Sequence, residues 1–134
     1  MIDEDVQNHP ERSCAFTSLG QKRYLSALQH VGAVVGNSSS GIIEAPAVPV
    51  PTVNLGDRQG GRLRAESVID CEEDREIICN ALRQALSPAF QKRIQDATSP
   101  YGDGHASSRI KKKLKEAPLN EGVLKKGFYD LNGQ

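Results

Sequence analysis

Gly36-Asn37-Ser38-Ser39-Ser40-Gly41-Ile42-Ile43-Glu44 is the stretch on which the fold turns. Just ahead of it, Ala33-Val34-Val35-Gly36 is an apolar, β-branched run of the kind that lies inside a parallel sheet. Asn37-Ser38-Ser39-Ser40-Gly41 is then a polar turn, opening a short helix through Ile42, Ile43, Glu44 and Ala45. Val50-Pro51-Thr52-Val53-Asn54-Leu55 reads as the next strand, followed by a loop Gly56-Asp57-Arg58-Gln59-Gly60-Gly61. Strand, turn, helix and strand in this order form a βαβ unit, which implies a parallel α/β sheet.

The same alternation continues outward. Downstream, Ser67-Val68-Ile69-Asp70 is a short strand, and Asp74 to Leu86 is an amphipathic helix with Ile77, Ile78, Ala81, Leu82 and Ala85 inward. A further helix starts near Phe90, and Tyr101-Gly102-Asp103-Gly104 makes a turn before a helix from His105 to Lys115. Upstream, residues 1–8 read as a helix ended by Asn8-His9-Pro10, and Cys14-Ala15-Phe16-Thr17-Ser18-Leu19 as a strand closed by Gly20. Helix is expected from about Gln21 to His30, with Tyr24, Leu25, Leu28 and Val31 on one face.

Composition excludes several classes of function. The chain has 134 residues, enough for one modest domain, with 17 basic and 17 acidic side chains in balance. That balance gives no electrostatic case for nucleic acid or for an anionic membrane. The longest mostly apolar stretch, Gly41 to Leu55, holds three prolines and Glu44 and is unfit to span a bilayer. The acidic start Met1-Ile2-Asp3-Glu4-Asp5 lacks the pattern of a secretory signal. Cys14, Cys71 and Cys79 are scattered and odd in number, which points to free thiols in a reducing cytoplasm and away from a metal or a disulfide. His9, His30 and His105 are isolated and read as surface or capping residues. No cofactor is implied.

Parallel sheets bind ligands at the carboxyl ends of their strands, which selects three loops: Ser18–Gly20, Asn37–Gly41 and Gly56–Gly61. The Asn37–Gly41 turn has the chemistry of a phosphate seat. Early helical N–H groups lack internal partners, and serine hydroxyls add donors without bulk. Glu44 lies four residues past Ser40, one helical turn on, and a carboxylate there suits the vicinal hydroxyls of a ribose. The residues alone leave a second reading open, in which Ser38–Ser40 merely cap a helix and Glu44 is a solvated acid.

Gly36 to Pro46, Val53-Asn54-Leu55-Gly56-Asp57-Arg58-Gln59 and Tyr101-Gly102-Asp103-Gly104 together resemble the hydrolysing UDP-N-acetylglucosamine 2-epimerases, as do Tyr24-Leu25 and the ending Lys126 to Leu131. The resemblance runs over nearly the whole chain. It implies a Rossmann-like parallel sheet with helices on both faces, the incomplete C-terminal domain of a two-domain GT-B fold, spanning residues 1–134. It implies UDP or UDP-N-acetylglucosamine as ligand, with Ser38 and Ser39 on the pyrophosphate, Glu44 on the ribose, Arg58 facing the UDP site and Leu19 lining the uracil pocket through its backbone. Asp103 would cap the last helix, whereas Arg62 and Arg64 read as surface charge. The family's reaction inverts C2 of the sugar by eliminating UDP and rehydrating a glycal to N-acetylmannosamine, and family members feed sialic acid or surface polysaccharide synthesis.

Two features depart from the family pattern. Its acid/base carboxylates belong to an N-terminal domain absent from this sequence, so no catalytic residue is assigned and the isolated chain is expected to be inactive. After Glu44-Ala45-Pro46, the family's Ser, bulky residue and Gly are replaced by Ala47, Val48 and Pro49. Proline cannot adopt the left-handed turn that glycine gives a helix end, so the exit from this helix must differ. Alternative identities are the nucleotide-binding half of a GT-B glycosyltransferase, or a non-catalytic remnant acting as an assembly module.

A Rossmann order 3-2-1-4-5-6 would put two strands before Met1 and leave the 14–19 strand without the neighbours that join it to 33–36. The expected partner is a second copy of the chain or the missing N-terminal domain. In light scattering the chain should be dimeric, swapped or poorly stable, through an exposed sheet edge; a compact, monodisperse monomer contradicts this.

Overall fold

The structure, a computed structural model, describes residues 2–118, so the family-like ending at Lys126 to Leu131 lies outside the described residues. The described residues fall into two compact units, one ending at Tyr101 and one beginning at Gly102. In the first, the elements run α1 (Ile2–Asn8), α2 (Gly20–Leu28), β1 (Val34–Gly36), α3 (Ser39–Ile43), β2 (Thr52–Leu55), β3 (Val68–Cys71), α4 (Arg75–Ala85) and α5 (Pro88–Ile94). The strands form one parallel sheet in the order β1-β2-β3. Val35 is opposite Val53, and Val53 opposite Ile69.

β2 is the central strand, and Thr52, Val53 and Asn54 are all buried. A strand covered on both faces needs no polar alternation, which is why Val50 to Leu55 reads as a run rather than an alternating pattern. Pro51 has no N–H to give a ladder, and the strand proper begins at Thr52; the Pro51 carbonyl still accepts from Val34 N–H at 2.8 Å. Val53 faces α4, packing with Ala81 and Ala85, and Leu55, Ile69 and Leu82 join this cluster. Thr52 points to the other face, towards α3 and Gly41. On a separate cluster, Leu28, Ala45 and Val50 pack with Tyr24, Val34 and Val48. Helices thus cover both faces of the sheet, a Rossmann-like α/β arrangement.

Helix starts follow local chemistry. The Asp74 carboxylate accepts from the N–H groups of Glu76 at 2.8 Å and Ile77 at 3.0 Å, opening α4. Ser87 caps α5 by accepting from Phe90 N–H at 3.3 Å, with Pro88 at the first helical position. Phe90 and Ile94 are buried. In the second unit, α6 (Ala106–Glu116) is preceded by Asp103, whose carboxylate accepts from His105 N–H at 3.0 Å and pairs with Arg109. The His105 N–H and then Arg109 hold the Asp103 carboxyl below its ordinary value.

Three expectations are corrected. Cys14–Leu19 is not a strand: no strand lies beside it among the described residues, Phe16 is exposed, and an unpaired extended segment has nothing to hold its backbone groups. Val31 lies beyond α2, which closes in tight turns from Gln29 N–H to Ser26 O and His30 N–H to Ala27 O; Val31 and Leu25 are exposed. Ile77 is exposed because the buried stripe of α4 runs through Ala81 and Ala85, and a first-turn residue four places earlier sits at its rim.

The exit from α3 replaces the left-handed glycine turn with a 3-10 turn at Ala45–Ala47 and an extended Val48, φ −128° and ψ 155°. Pro49 is accommodated because the chain has already left the helix.

Close packing between α3 and β2 depends on Gly41. A Cβ there would lie 2.8 Å from the Thr52 methyl group, and Thr52 is both buried and β-branched, with little freedom to turn away. Gly41→Ala should destabilise the fold by about 1–3 kcal/mol in denaturant unfolding. Adding Thr52→Ser, which removes the clashing methyl, should recover part of that loss; strict additivity of the two changes would contradict the contact.

Candidate functional site

The carboxyl end of β1 carries the polar turn. Gly36 has φ +145°, a conformation that side chains rarely adopt, although nothing lies within 4 Å of where its Cβ would be. Glycine is needed there for the bend, not for space. Asn37 follows, and Ser38 is the N-cap of α3, with φ −75° and ψ 143°. Its hydroxyl oxygen accepts from Ser40 N–H at 3.3 Å, which leaves its own hydrogen free to donate. Capping and ligand binding are therefore compatible at Ser38.

Ser38 and Ser39 are exposed, and their N–H groups have no hydrogen-bond partner among the described residues. Ser40 points elsewhere: its hydroxyl bonds to the Tyr24 hydroxyl at 2.5 Å, tying α2 to α3. Glu44 is the exposed C-cap of α3, its N–H bonded to the Ser40 carbonyl at 2.9 Å, so it does sit one turn along from the serines. With only five residues, α3 aligns few peptide dipoles. The donors here act as individual N–H and O–H groups.

The loop after β2 reaches the same turn. Asp57 to Gly60 is closed by Gly60 N–H bonding to Asp57 O at 2.7 Å, making Arg58 and Gln59 its central pair. Arg58 is exposed and donates from Nη1 to the Asn37 side-chain oxygen at 3.3 Å. Gln59 is buried and donates from Nε2 to the Asn37 carbonyl at 2.8 Å. Ser38, Ser39 and Arg58 are thus gathered around Asn37. Leu19 is not joined to them by any hydrogen bond among the described residues; it is the half-buried N-cap of α2, with no side-chain cap bond, and its link to the turn passes through Tyr24.

Sequence reasoning missed Asn37, Gln59 and the Tyr24–Ser40 bond as parts of this construction. A polar amide within a Gly-rich loop looks solvated from sequence, and only burial distinguishes Gln59. Arg64, read as surface charge, donates from Nε to both Asp70 oxygens at 3.2 and 3.0 Å and from Nη1 to the Arg62 carbonyl. Asp70 also accepts from Asn54 Nδ2 at 2.6 Å, so this network stitches the loop to β2 and β3 and leaves Arg64 unavailable to a phosphate.

An opening of about 550 Å³ lies at the carboxyl ends of β2 and β3 and is lined by Gly56, Asp57, Asp70, Cys71, Glu72 and Glu73. Its carboxylates repel a diphosphate. Burial, and then the neighbouring Asp70 carboxylate, push the Cys71 thiol above its ordinary value.

A family profile described as UDP-N-acetylglucosamine 2-epimerase matches residues 1–115. The chain is 37% identical over 129 residues to a UDP-N,N′-diacetylbacillosamine 2-epimerase (hydrolyzing) of Legionella pneumophila, covering 94% of this chain and 33% of that protein. It is 34% identical over 136 residues to a GDP/UDP-N,N′-diacetylbacillosamine 2-epimerase (hydrolyzing) of Campylobacter jejuni, covering 98% and 35%. A UDP-N-acetylglucosamine 2-epimerase of Neisseria meningitidis is 32% identical over 133 residues, covering 98% and 35%. The chain spans about a third of the length of these relatives.

Burial, and then the Asp70 carboxylate, make Cys71 a poor nucleophile, because the thiolate is the reactive form. At neutral pH iodoacetamide should modify the exposed Cys14 before Cys71, with Cys71 catching up only as pH is raised. Equal rates at neutral pH, read by mass spectrometry of the peptides, would contradict this shielding.

Proposed function

The chain belongs to the UDP-N-acetylglucosamine 2-epimerase family, and on that premise we propose that it is the UDP-holding part of a hydrolysing 2-epimerase. The observation that carries this reading is the gathering of donors at Ser38 and Ser39, unpartnered among the described residues, beside the Arg58 guanidinium, all around Asn37. In this reading Ser38, Ser39 and Arg58 take the pyrophosphate, Glu44 accepts from the ribose hydroxyls, and the backbone near Leu19 meets the uracil.

The reaction starts with UDP-N-acetylglucosamine. A base removes the proton at C2, a double bond forms between C1 and C2, and the C1–O bond breaks with its electrons leaving on UDP. Water then adds hydroxyl to C1 and a proton to C2 from the opposite face, giving N-acetylmannosamine. Negative charge grows on the departing diphosphate, and donors fixed beside it favour that step. The base and acid come from a further part of a longer polypeptide, and this chain alone is inactive. Two of the relatives are named for N,N′-diacetylbacillosamine, which supports a second reading for the sugar. The diphosphate is common to both readings.

No described helix is long and apolar enough to cross a membrane, and the three cysteines are free thiols, which suits a cytoplasmic place of work. β1 has no strand on its outer side among the described residues and Val35 is about half exposed, favouring a second copy or the rest of a longer polypeptide as partner.

Calorimetry with UDP and with uridine tests the proposal. Ser38→Ala combined with Ser39→Ala, or Arg58→Met, should weaken UDP by roughly tenfold or more and leave uridine unchanged, since charged hydrogen bonds contribute about 1.5–3 kcal/mol each. Glu44→Gln should weaken both ligands. Absence of UDP binding at millimolar concentration would leave the non-catalytic remnant as the reading.

A further inference from the structure

We propose that Gln59 is a positioning residue for the nucleotide: it fixes the peptide between Asn37 and Ser38 and thereby sets where the Ser38 N–H points and where Arg58 is held. This rests on the reading of the Asn37 turn as the diphosphate's place.

Gln59 and Arg58 are the central pair of a closed turn, yet they face opposite surroundings. Gln59 is 4% exposed, whereas Arg58 is in solvent. Both grip the same residue. Gln59 Nε2 donates to the Asn37 carbonyl at 2.8 Å, and Arg58 Nη1 donates to the Asn37 side-chain oxygen at 3.3 Å. Main chain and side chain of Asn37 are therefore each held from one closed turn.

The consequence follows from peptide planarity. The Asn37–Ser38 bond is trans, so its carbonyl and its N–H lie in one plane and point in opposite directions. Pinning the carbonyl towards Gln59 turns the Ser38 N–H away from it. That N–H has no hydrogen-bond partner among the described residues. Without the pin, the plane can turn about Asn37 ψ and Ser38 φ, since among the described residues no other hydrogen bond holds the Asn37 carbonyl or the Ser38 N–H.

Gln59 does not serve the fold cheaply. Its Oε1 is buried with no hydrogen-bond partner among the described residues, a cost that an apolar side chain of similar size would avoid. A side chain retained only to fill space would do better without the amide. The amide's one bond goes to the residue that precedes the serines.

The experiment compares the full chain with Gln59→Met, which keeps the volume and removes the donor. Ligand-free, the Ser38 amide resonance should move in the variant while those of α4 stay. UDP should bind roughly tenfold more weakly and uridine equally well, since uridine has no diphosphate to misplace. Loss of both ligands in equal measure would mark Gln59 as a structural residue and overturn the proposal, as would intact UDP binding in Gln59→Met. An unmutated chain that fails to bind UDP removes the seat itself and is told apart from those outcomes by needing no variant. Should Gln59→Met fail to fold, the side-chain amide of Gln59 in the unmutated chain decides. Slow hydrogen exchange and a resonance shift on adding UDP support the role; fast exchange with no shift overturns it.

Discussion

How the chain leaves β1 governs everything at the carboxyl edge of the sheet. Gly36 bends the backbone at φ +145°, and the very next carbonyl, that of Asn37, is caught by a buried amide from the neighbouring loop. Those two features act in opposite senses. Glycine admits a bend that other residues rarely adopt, and the Gln59 bond fixes the peptide plane that follows one residue later. The outcome is a turn that is unusual in shape and singular in position. A hydrogen bond in such a place matters less for its share of global stability than for selecting one orientation of a peptide plane among several.

The sheet below makes that selection affordable. β2 is buried on both faces, and α3 lies against it so closely that Gly41 has no room for a Cβ beside Thr52. The first turn of α3 is thus fixed from underneath by β2, from the side by Tyr24 through Ser40, and from the loop after β2 through Asn37. Three independent elements converge on nine residues of sequence. The neighbouring acidic opening completes the picture electrostatically. With Asp57, Glu72 and Glu73 around it, that opening disfavours an anion, whereas the Asn37 turn bears Arg58 and N–H groups without a partner among the described residues.

β1, β2, β3 and α4 were legible in the sequence because each carries its signal locally: β-branched runs for the strands, Asp74 and a 3/4 apolar spacing for the helix. Cys14–Leu19 looked the same as those strands to a local reading, but a strand is a relation between two segments, and here the second is missing from the described residues. Ile77 failed for a related reason, since periodicity gives a face and not its edges. At the candidate site, the position of the serines and Arg58 at the sheet's carboxyl edge follows from where parallel sheets bind ligands. Gln59 and Asn37 did not, because whether an amide is buried or solvated depends on loops folding over one another, which no local pattern encodes.

The shortness of α3 bears on how such a site works. A phosphate seat is often argued from the field of a long helix, but five residues sum to little of that field. What remains is geometry: discrete N–H and O–H groups whose value depends on being aimed before the charge develops. A long helix aims its first N–H groups by its own regularity. A short one has to be aimed by its surroundings, and the side chains that hold its entry then become as much a part of the site as the groups that touch the ligand. Ser38 shows the economy of this arrangement. Its oxygen accepts from Ser40 N–H and so shapes the turn, while its hydrogen stays available, and one hydroxyl both builds the entry and faces outward from it.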